Sequence, residues 1–339
     1  MDASRLQADL LAWYDAHARA LPWRTPPHSK RRTDPYVVWL SEVMLQQTTV
    51  PHATPYFLKF TQSWPTVRDL AAAPDGDLMA AWAGLGYYAR ARNLLKCARA
   101  VAGDHGGVFP DTEKGLRALP GVGAYTAAAV AAIAYQRPAN VVDGNVERVM
   151  ARLFAVETSL PAAKKELTAL AAGLVSQDRP GDWAQALMDL GATVCRPKAP
   201  LCERCPISDQ CAALATGAPE TYPRKTRKAD RPRRHGAAFV IRRGQQIALV
   251  RRPDKGLLGG MLALPTTDWR GEPWTDDEAP AAAPFDAAWR DIGTVEHVFT
   301  HFALTLRVFE AEGDLADAVW SSDLSALPSV FLKAARLTS

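Results

Sequence analysis

Cysteine is scarce, with five in 339 residues, and so few exclude a disulfide scaffold. No long apolar run is present. The longest uncharged one, Ala127 to Tyr135, is far too short to cross a bilayer. The amino-terminal MDASRLQADLL lacks the basic segment, apolar core and cleavage site of a signal peptide. Neither sign of charge dominates. Forty basic against thirty-six acidic side chains leave a formal +4, which permits a polyanionic partner without requiring one. There is no internal repeat. With 48% hydrophobic and 22% charged residues, the chain can bury an ordinary core, which rules out disorder. A soluble, cytoplasmic protein of two or three compact units, with no membrane association, is therefore expected. The Ala-rich composition points to a GC-rich bacterial source.

Up to about residue 217 the pattern is helical. A first helix ends near Leu21-Pro22, and a second runs from Tyr36 to Thr49 and stops at Pro51. Further helices are expected near 54–63, 66–72, 77–83 and 89–103, then at 146–155, 162–176 and 183–194, with Ser, Thr, Asp, Pro and Gly as punctuation. Ala124 to Ala134 is apolar nearly all round, as a central buried helix should be. From 221 to 234 the chain reads TYPRKTRKADRPRR, with seven basic residues and two prolines, and is expected to be a basic linker. Beyond it, HGAAFVIRR and QQIALVRR read as strands paired around Gly244, with HFALTLRVFE as another strand. The 270–290 stretch reads as irregular surface.

LPGVGAY, Leu119 to Tyr125, lies between two helical stretches. Gly121 and Gly123 permit positive φ and let N–H groups approach a bulky anion, and the next helix adds its positive dipole end. Such a hairpin can hold one DNA phosphate without reading sequence. It can equally be a tight turn with no ligand. Twenty residues after Gly123, VVDGNVERV sets Asp143 at another helix start, where a carboxylate serves as N-cap or as catalyst. Glu42 neighbours Val38, Trp39, Leu45 and Gln46 on its helix. On that apolar stripe its charged form is disfavoured, which raises its pKa toward use as a general acid; on a solvated face it would be ordinary. Cys195, Cys202, Cys205 and Cys211 are separated by six, two and five residues. Four thiolates suit zinc or an iron–sulfur cluster, and only Cys202 and Cys205 form the CxxC pair that zinc knuckles repeat.

The hairpin followed by VVDGNV resembles the helix-hairpin-helix DNA glycosylases. WLSEVMLQQTTV (Trp39 to Val50), GLGYYARARNL (Gly84 to Leu94) and the cysteine spacing narrow the resemblance to MutY-type adenine DNA glycosylases, over nearly the whole chain. The resemblance implies a mainly α catalytic region over 1–220: a six-helix barrel at roughly 30–140, plus an iron–sulfur helical module built from the N-terminal helix and 141–220. A smaller α+β Nudix-like domain follows over 235–339.

It further implies removal of adenine mispaired with 8-oxoguanine or guanine in double-stranded DNA, by a monomer associated with the bacterial nucleoid. Glu42 would protonate the base and Asp143 would stabilise the oxocarbenium-like sugar. Asn145 would position Asp143 or a water. Tyr125 stands where bifunctional relatives carry a Schiff-base lysine, so a strand-cleaving lyase step is not expected. Trp23, Arg24 and Gln185 match adenine-pocket positions, although family members usually carry Asn where Ala184 stands. Leu45, Gln46, Gln47 and Tyr87 would enter or contact the duplex, with Gly121 and Gly123 at a phosphate. The four cysteines would hold a [4Fe–4S] cluster and present Arg196, Lys198 and Arg204 to DNA. GLLGGMLALP, Gly256 to Pro265, resembles the Nudix-like loop, but 266–293 lacks the REXXEEXG-type metal helix, so pyrophosphate hydrolysis is not expected. In VFTHFALTL, Phe299, Thr300 and His301 match the segment that reads 8-oxoguanine, with Thr300 in place of the family serine.

Overall fold

A computed structural model describes residues 2–226, 231–253, 256–299, 301–325 and 327–338. The chain packs as two units, Met1–Arg227 and Lys228–Ser339. The first is helical. Helix α1 (Ala3–His17) is capped by Asp2, and α2 (Pro35–Leu45) by Asp34 with Pro35 in its first turn. Then come α3 (Val50–Ser63), α4 (Val67–Ala72), α5 (Asp75–Trp82), α6 (Ala89–Asp104) and α7 (Glu113–Arg117). Central α8 (Ala124–Tyr135) is followed by α9 (Gly144–Leu153), α10 (Lys164–Ala172), α11 (Pro180–Asp189) and α12 (Ala212–Ala215). Every residue of α8 from Thr126 to Ile133 is buried, and α2, α7 and α11 pack around it. Its small side chains let those neighbours approach closely.

Helix α1 ends at His17 rather than near Leu21, and α10 at Ala172 rather than at 176; two further boundary differences lie beside the site. Helix α2 ends at Leu45 rather than Thr49, because Gln47 takes a left-handed φ of 59°. Pro51 does not stop that helix; it lies in the first turn of α3, where its missing N–H costs nothing. The helix expected over 183–194 is α11 followed by a π-helical turn, Leu190–Val194, whose Thr193 hydroxyl bonds back to the Asp189 carbonyl.

The second unit is a mixed sheet of β1 (Arg233–Arg243), β2 (Gln246–Arg251), β3 (Leu262–Ala263), β4 (Arg290–Val298), β5 (Ala303–Glu312) and β6 (Val319–Ser321), with short α13 (Glu278–Ala281) and α14 (Ser329–Ala335). The strand order is β3-β2-β1-β5-β4, and β6 pairs with β2. β1 runs parallel to β5 and antiparallel to β2, and Gly244 turns between β1 and β2 at φ 59°. Side chains alternate between the two faces of the sheet. Ala238, Val240, Leu306 and Val308 meet Val330 and Phe331 of α14, whereas Ala237, Phe239, Ile241 and Phe309 meet Ala279, Phe285 and Trp289. With both faces covered, β1 reads as a continuous apolar run. Strand β4 was not expected: among its residues only Val295 is buried, so it shows no apolar run. The basic segment expected as a linker is folded at both ends. Tyr222 is buried, Lys225 bridges to Leu160, and β1 begins at Arg233. No helix among the described residues is long and apolar enough to cross a membrane.

Candidate active site

A cavity of about 370 Å³ opens among α2, α8, α9 and α11. It gathers Trp23, Arg24, Glu42, Leu45, Gln46, Gln47, Tyr125, Asp143, Asn145 and Gln185 from across the first unit. Glu42 is only 7% exposed. Burial is the main cause that pushes its carboxyl above the usual range; the Tyr125 hydroxyl and Arg24 work against that shift, and Asp143 adds to it. Tyr125 donates to Glu42 Oε2 at 2.6 Å, and its own proton is held well above the ordinary phenol range by burial and by the nearby carboxylates. With Oε2 accepting from Tyr125, Oε1 is the oxygen left to carry a transferable proton.

Asp143 is an N-cap, and it also faces the cavity. Its Oδ1 accepts from the backbone N–H of Asn145 at 2.9 Å and of Val146 at 2.7 Å, while Oδ2 accepts from Asn145 Nδ2 at 2.8 Å. Cap and candidate catalyst are thus the same carboxylate, fixed by three donors. Arg148 continues the chain of contacts, donating to Asn145 Oδ1 at 2.9 Å, the Gly191 carbonyl at 2.8 Å and the Cys195 carbonyl at 2.8 Å.

Sequence reasoning missed Asp189 and Arg19. Asp189 is fully buried and accepts from Arg19 Nε and Arg24 Nη1, both at 2.6 Å. Arg24 is therefore held in the wall by a carboxylate rather than left free, and the signal was the Asp one helical turn after Gln185. Gln185 is buried, with its Nε2 bonded to the Gly181 carbonyl at 3.2 Å. Trp23 is buried edge-on against Phe57.

Tyr87, Gly121 and Gly123 lie outside this cavity. Tyr87 is 57% exposed, at a left-handed φ of 49°. Gly121 has φ 72°, and an added Cβ would stand 2.7 Å from Asn93 Cβ, so glycine is required there twice over. Gly123 departs from the expectation of positive φ. It is the extended N-cap of α8 at φ −85°, without a side-chain cap and with open space around it. An exposed helix N-terminus of this kind is what an anion needs.

Cys195, Cys202, Cys205 and Cys211 line one small cavity of about 30 Å³ with Arg152, Val194 and Pro200. Among the described residues no three His, Cys, Asp or Glu side chains are already set to hold a metal ion. Their surroundings nevertheless fit a thiolate-bound group. Burial first, and the neighbouring cysteines after it, push the Cys205 thiol up to about 12, and the same two causes raise Cys202 and Cys211. A bound cationic centre reverses that preference. Arg152 is 2% exposed and touches Cys195 Sγ at 3.4 Å; its other acceptors are the carbonyls of Arg196, Pro197 and Tyr222. No Asp or Glu among the described residues pairs with it, so its neighbouring partners are carbonyls and the Cys195 sulfur. Lys198 and Arg204 are exposed beside this loop, while Arg196 is half-buried and bonded to the Ala199 carbonyl. Cys97 is buried alone in α6.

In the second unit, Phe299 is half-buried rather than presented at a tip. Its ring lies 5.7 Å from Trp269, 4.9 Å from Phe302 and 4.5 Å from His297. Its N–H bonds to the Phe302 carbonyl, which closes the turn between β4 and β5, and His301 is exposed on that turn. Thr300 lies outside the described residues.

Residues 40–176 match the HhH-GPD superfamily of base excision DNA repair proteins, and residues 237–335 match the NUDIX domain. With the fold, these matches define the class: a helix-hairpin-helix base excision repair protein that carries a Nudix-type second unit. The adenine DNA glycosylase of Homo sapiens is 37% identical over 365 residues, spanning 91% of this chain and 67% of that protein. That of Mus musculus is 35% identical over 374 residues, spanning 94% and 72%. A solved thermostable thymine-DNA glycosylase superposes with a TM-score of 0.56 at 32% identity, covering 63% of this chain and 97% of its own. The chain belongs to the adenine DNA glycosylase family.

Proposed function

We propose that this protein is a monofunctional DNA glycosylase that hydrolyses the N-glycosidic bond of adenine opposite 8-oxoguanine or guanine. The observation that carries this is Glu42: a buried carboxyl, held by the Tyr125 hydroxyl, in a cavity that also contains Asp143. The bond is unreachable inside a stacked duplex, so the adenine must be turned out into the cavity. There Trp23, Arg24 and Gln185 would hold it. Adenine is a poor leaving group as an anion, and a proton from Glu42 to the ring makes it neutral on departure. Positive charge then develops on the sugar, and the fixed carboxylate of Asp143 faces it without needing to reorganise. Asn145 keeps that carboxylate aimed. A water entering beside Glu42 completes hydrolysis. Tyr125 offers no amine, so strand cleavage through a Schiff base has no nucleophile at that position.

Gln46, Gln47 and Tyr87 would enter the duplex beside Leu45, and the Gly121–Gly123 hairpin would grip a phosphate with backbone N–H groups. Cys195, Cys202, Cys205 and Cys211 would hold a [4Fe–4S] cluster, with Arg152 compensating its charge. Bound there, the cluster would tie the π turn, the cysteine loop and α12 together. The second unit would read the opposite base through the Phe299-Thr300-His301 turn. The test is a duplex with adenine opposite 8-oxoguanine, scored before and after hot alkali. Strand breaks only after alkali support this function. Breaks without alkali would indicate a lyase, and none at all a non-catalytic DNA-binding protein.

A further inference from the structure

Helix α2, which carries Glu42, ends in Gln46-Gln47 without the glycine that closes many helices, so its last carbonyls need another partner. Arg90 supplies it. One terminal nitrogen of the guanidinium, Nη1, donates to the carbonyls of Val43 at 2.9 Å, Met44 at 3.2 Å and Gln46 at 2.6 Å. The other, Nη2, donates to the carbonyls of Leu85 at 3.1 Å and Gly86 at 3.4 Å, inside the loop that carries Tyr87. Buried Trp82 supports that loop from beneath, its Nε1 donating to the Gly86 carbonyl at 3.0 Å. The guanidinium lies 5.3 Å from the Trp82 ring centroid and 5.6 Å from that of Tyr87. No Asp or Glu among the described residues pairs with Arg90. Its charge is spent on the negative end of α2 and on the loop carbonyls.

Both joined segments hold a non-glycine residue in the left-handed region, Gln47 at φ 59° and Tyr87 at φ 49°. Each such residue is strained and persists only where its surroundings impose it. We infer that Arg90 is a positioning residue that locks the Gln46–Gln47 turn and the Gly84–Tyr87 loop into one rigid duplex wedge, registered against the helix that carries Glu42. The inference rests on the function proposed above. A planar fork reaches both carbonyl sets at once, whereas a lysine ammonium satisfies one and releases the other.

The test uses the full-length protein and a duplex with 2-aminopurine next to an adenine opposite 8-oxoguanine. The rise in fluorescence reports unstacking whether or not a bond is cut. Arg90→Lys should fold, as judged by its melting curve, and bind the duplex within about threefold of wild type, yet unstack it about tenfold more slowly, a coupling of ordinary size for residues sharing one element. Tyr87→Ala should be slow as well, and the double variant no slower than Tyr87→Ala alone. Multiplicative slowing in the double variant, or a wild-type rate in folded Arg90→Lys, overturns the inference. Should Arg90→Lys not fold, Gln47→Gly and Gln47→Ala carry the test. Both remove the side chain, but glycine accepts the left-handed turn that alanine resists, so Gln47→Ala must unstack more slowly than Gln47→Gly, and equal rates overturn the inference. A wild type that unstacks the duplex but releases no adenine would instead refute the proposed function and leave the comparison of Arg90 variants readable.

Discussion

The Tyr125 hydroxyl donates to Glu42 Oε2 at 2.6 Å, and this hydrogen bond opposes the burial that raises the pKa of Glu42. In the proposed mechanism excision requires the protonated acid, so its rate should fall as pH rises through the raised pKa of Glu42. Removing the phenol removes an influence that lowers that pKa. Tyr125→Phe should therefore move the alkaline limb of single-turnover excision to higher pH, and a limb that stays put or moves down would contradict the assignment.

Glu42→Gln should bind duplex nearly as wild type and lose roughly 10²–10⁴-fold in excision, the usual contribution of a positioned acid. It should also gain stability. Because the folded-state pKa lies above the unfolded one, the native protein holds a proton that the unfolded chain has lost, and wild-type stability declines as pH rises across that interval. The neutral amide avoids this decline. Melting temperatures of the two proteins should thus diverge in favour of Glu42→Gln as pH rises above the ordinary carboxyl value of 4.5, provided the amide keeps a hydrogen bond to Tyr125.

Asp143→Asn separates the two duties of one side chain. Asn caps helices about as well as Asp, so the melting temperature should stay within a few degrees of wild type while excision collapses. A large loss of stability together with intact single-turnover chemistry would leave Asp143 as a cap only.

Much of this site could be read in the sequence because its residues sit in contiguous patterns: SEVMLQQT, LPGVGAY, VVDGNV and the cysteine spacing. The burial of α8 was legible from its uncharged face, and β1, β2 and β5 from their apolar runs. Strand β4, with only Val295 buried, was not, and neither were three features of the first unit. Asp189 meets Arg19 and Arg24 across 170 and 165 residues of chain, and although its place one turn after Gln185 aims it at the site, nothing local names its arginine partners. Arg90 and Arg152 look like solvated helix arginines until their acceptors, nearly all backbone carbonyls, are seen. The end of α2 depends on Gln47 adopting a conformation that glutamine disfavours, which propensity alone argues against.

The cysteine site predicts a coloured protein in which iron and sulfide are recovered in near-equal amounts. Cys202→Ser should lower solubility and DNA affinity before it alters the chemical step, because the four sulfurs lie outside the cavity that holds Glu42. Zinc in place of iron, in a colourless and fully active protein, would overturn the assignment.

The last prediction separates two residues of the β4–β5 turn that the sequence treats alike. Phe299 is packed against Trp269, Phe302 and His297, and truncating a half-buried aromatic in such a cluster should cost stability in the second unit, on the order of 1–3 kcal/mol. His301 is exposed, so His301→Ala should leave the melting curve unchanged. If the turn reads the opposite base, His301→Ala should still erode the preference for 8-oxoguanine over guanine several-fold, the worth of one hydrogen bond of about 0.5–1.5 kcal/mol. Excision of adenine once bound should not change, because Glu42 and Asp143 belong to the first unit. Phe299→Ala should lose discrimination too, but only in proportion to the unfolding of its turn, and cooling should restore part of it. Equal losses opposite 8-oxoguanine and guanine in His301→Ala would instead make the second unit a general DNA grip.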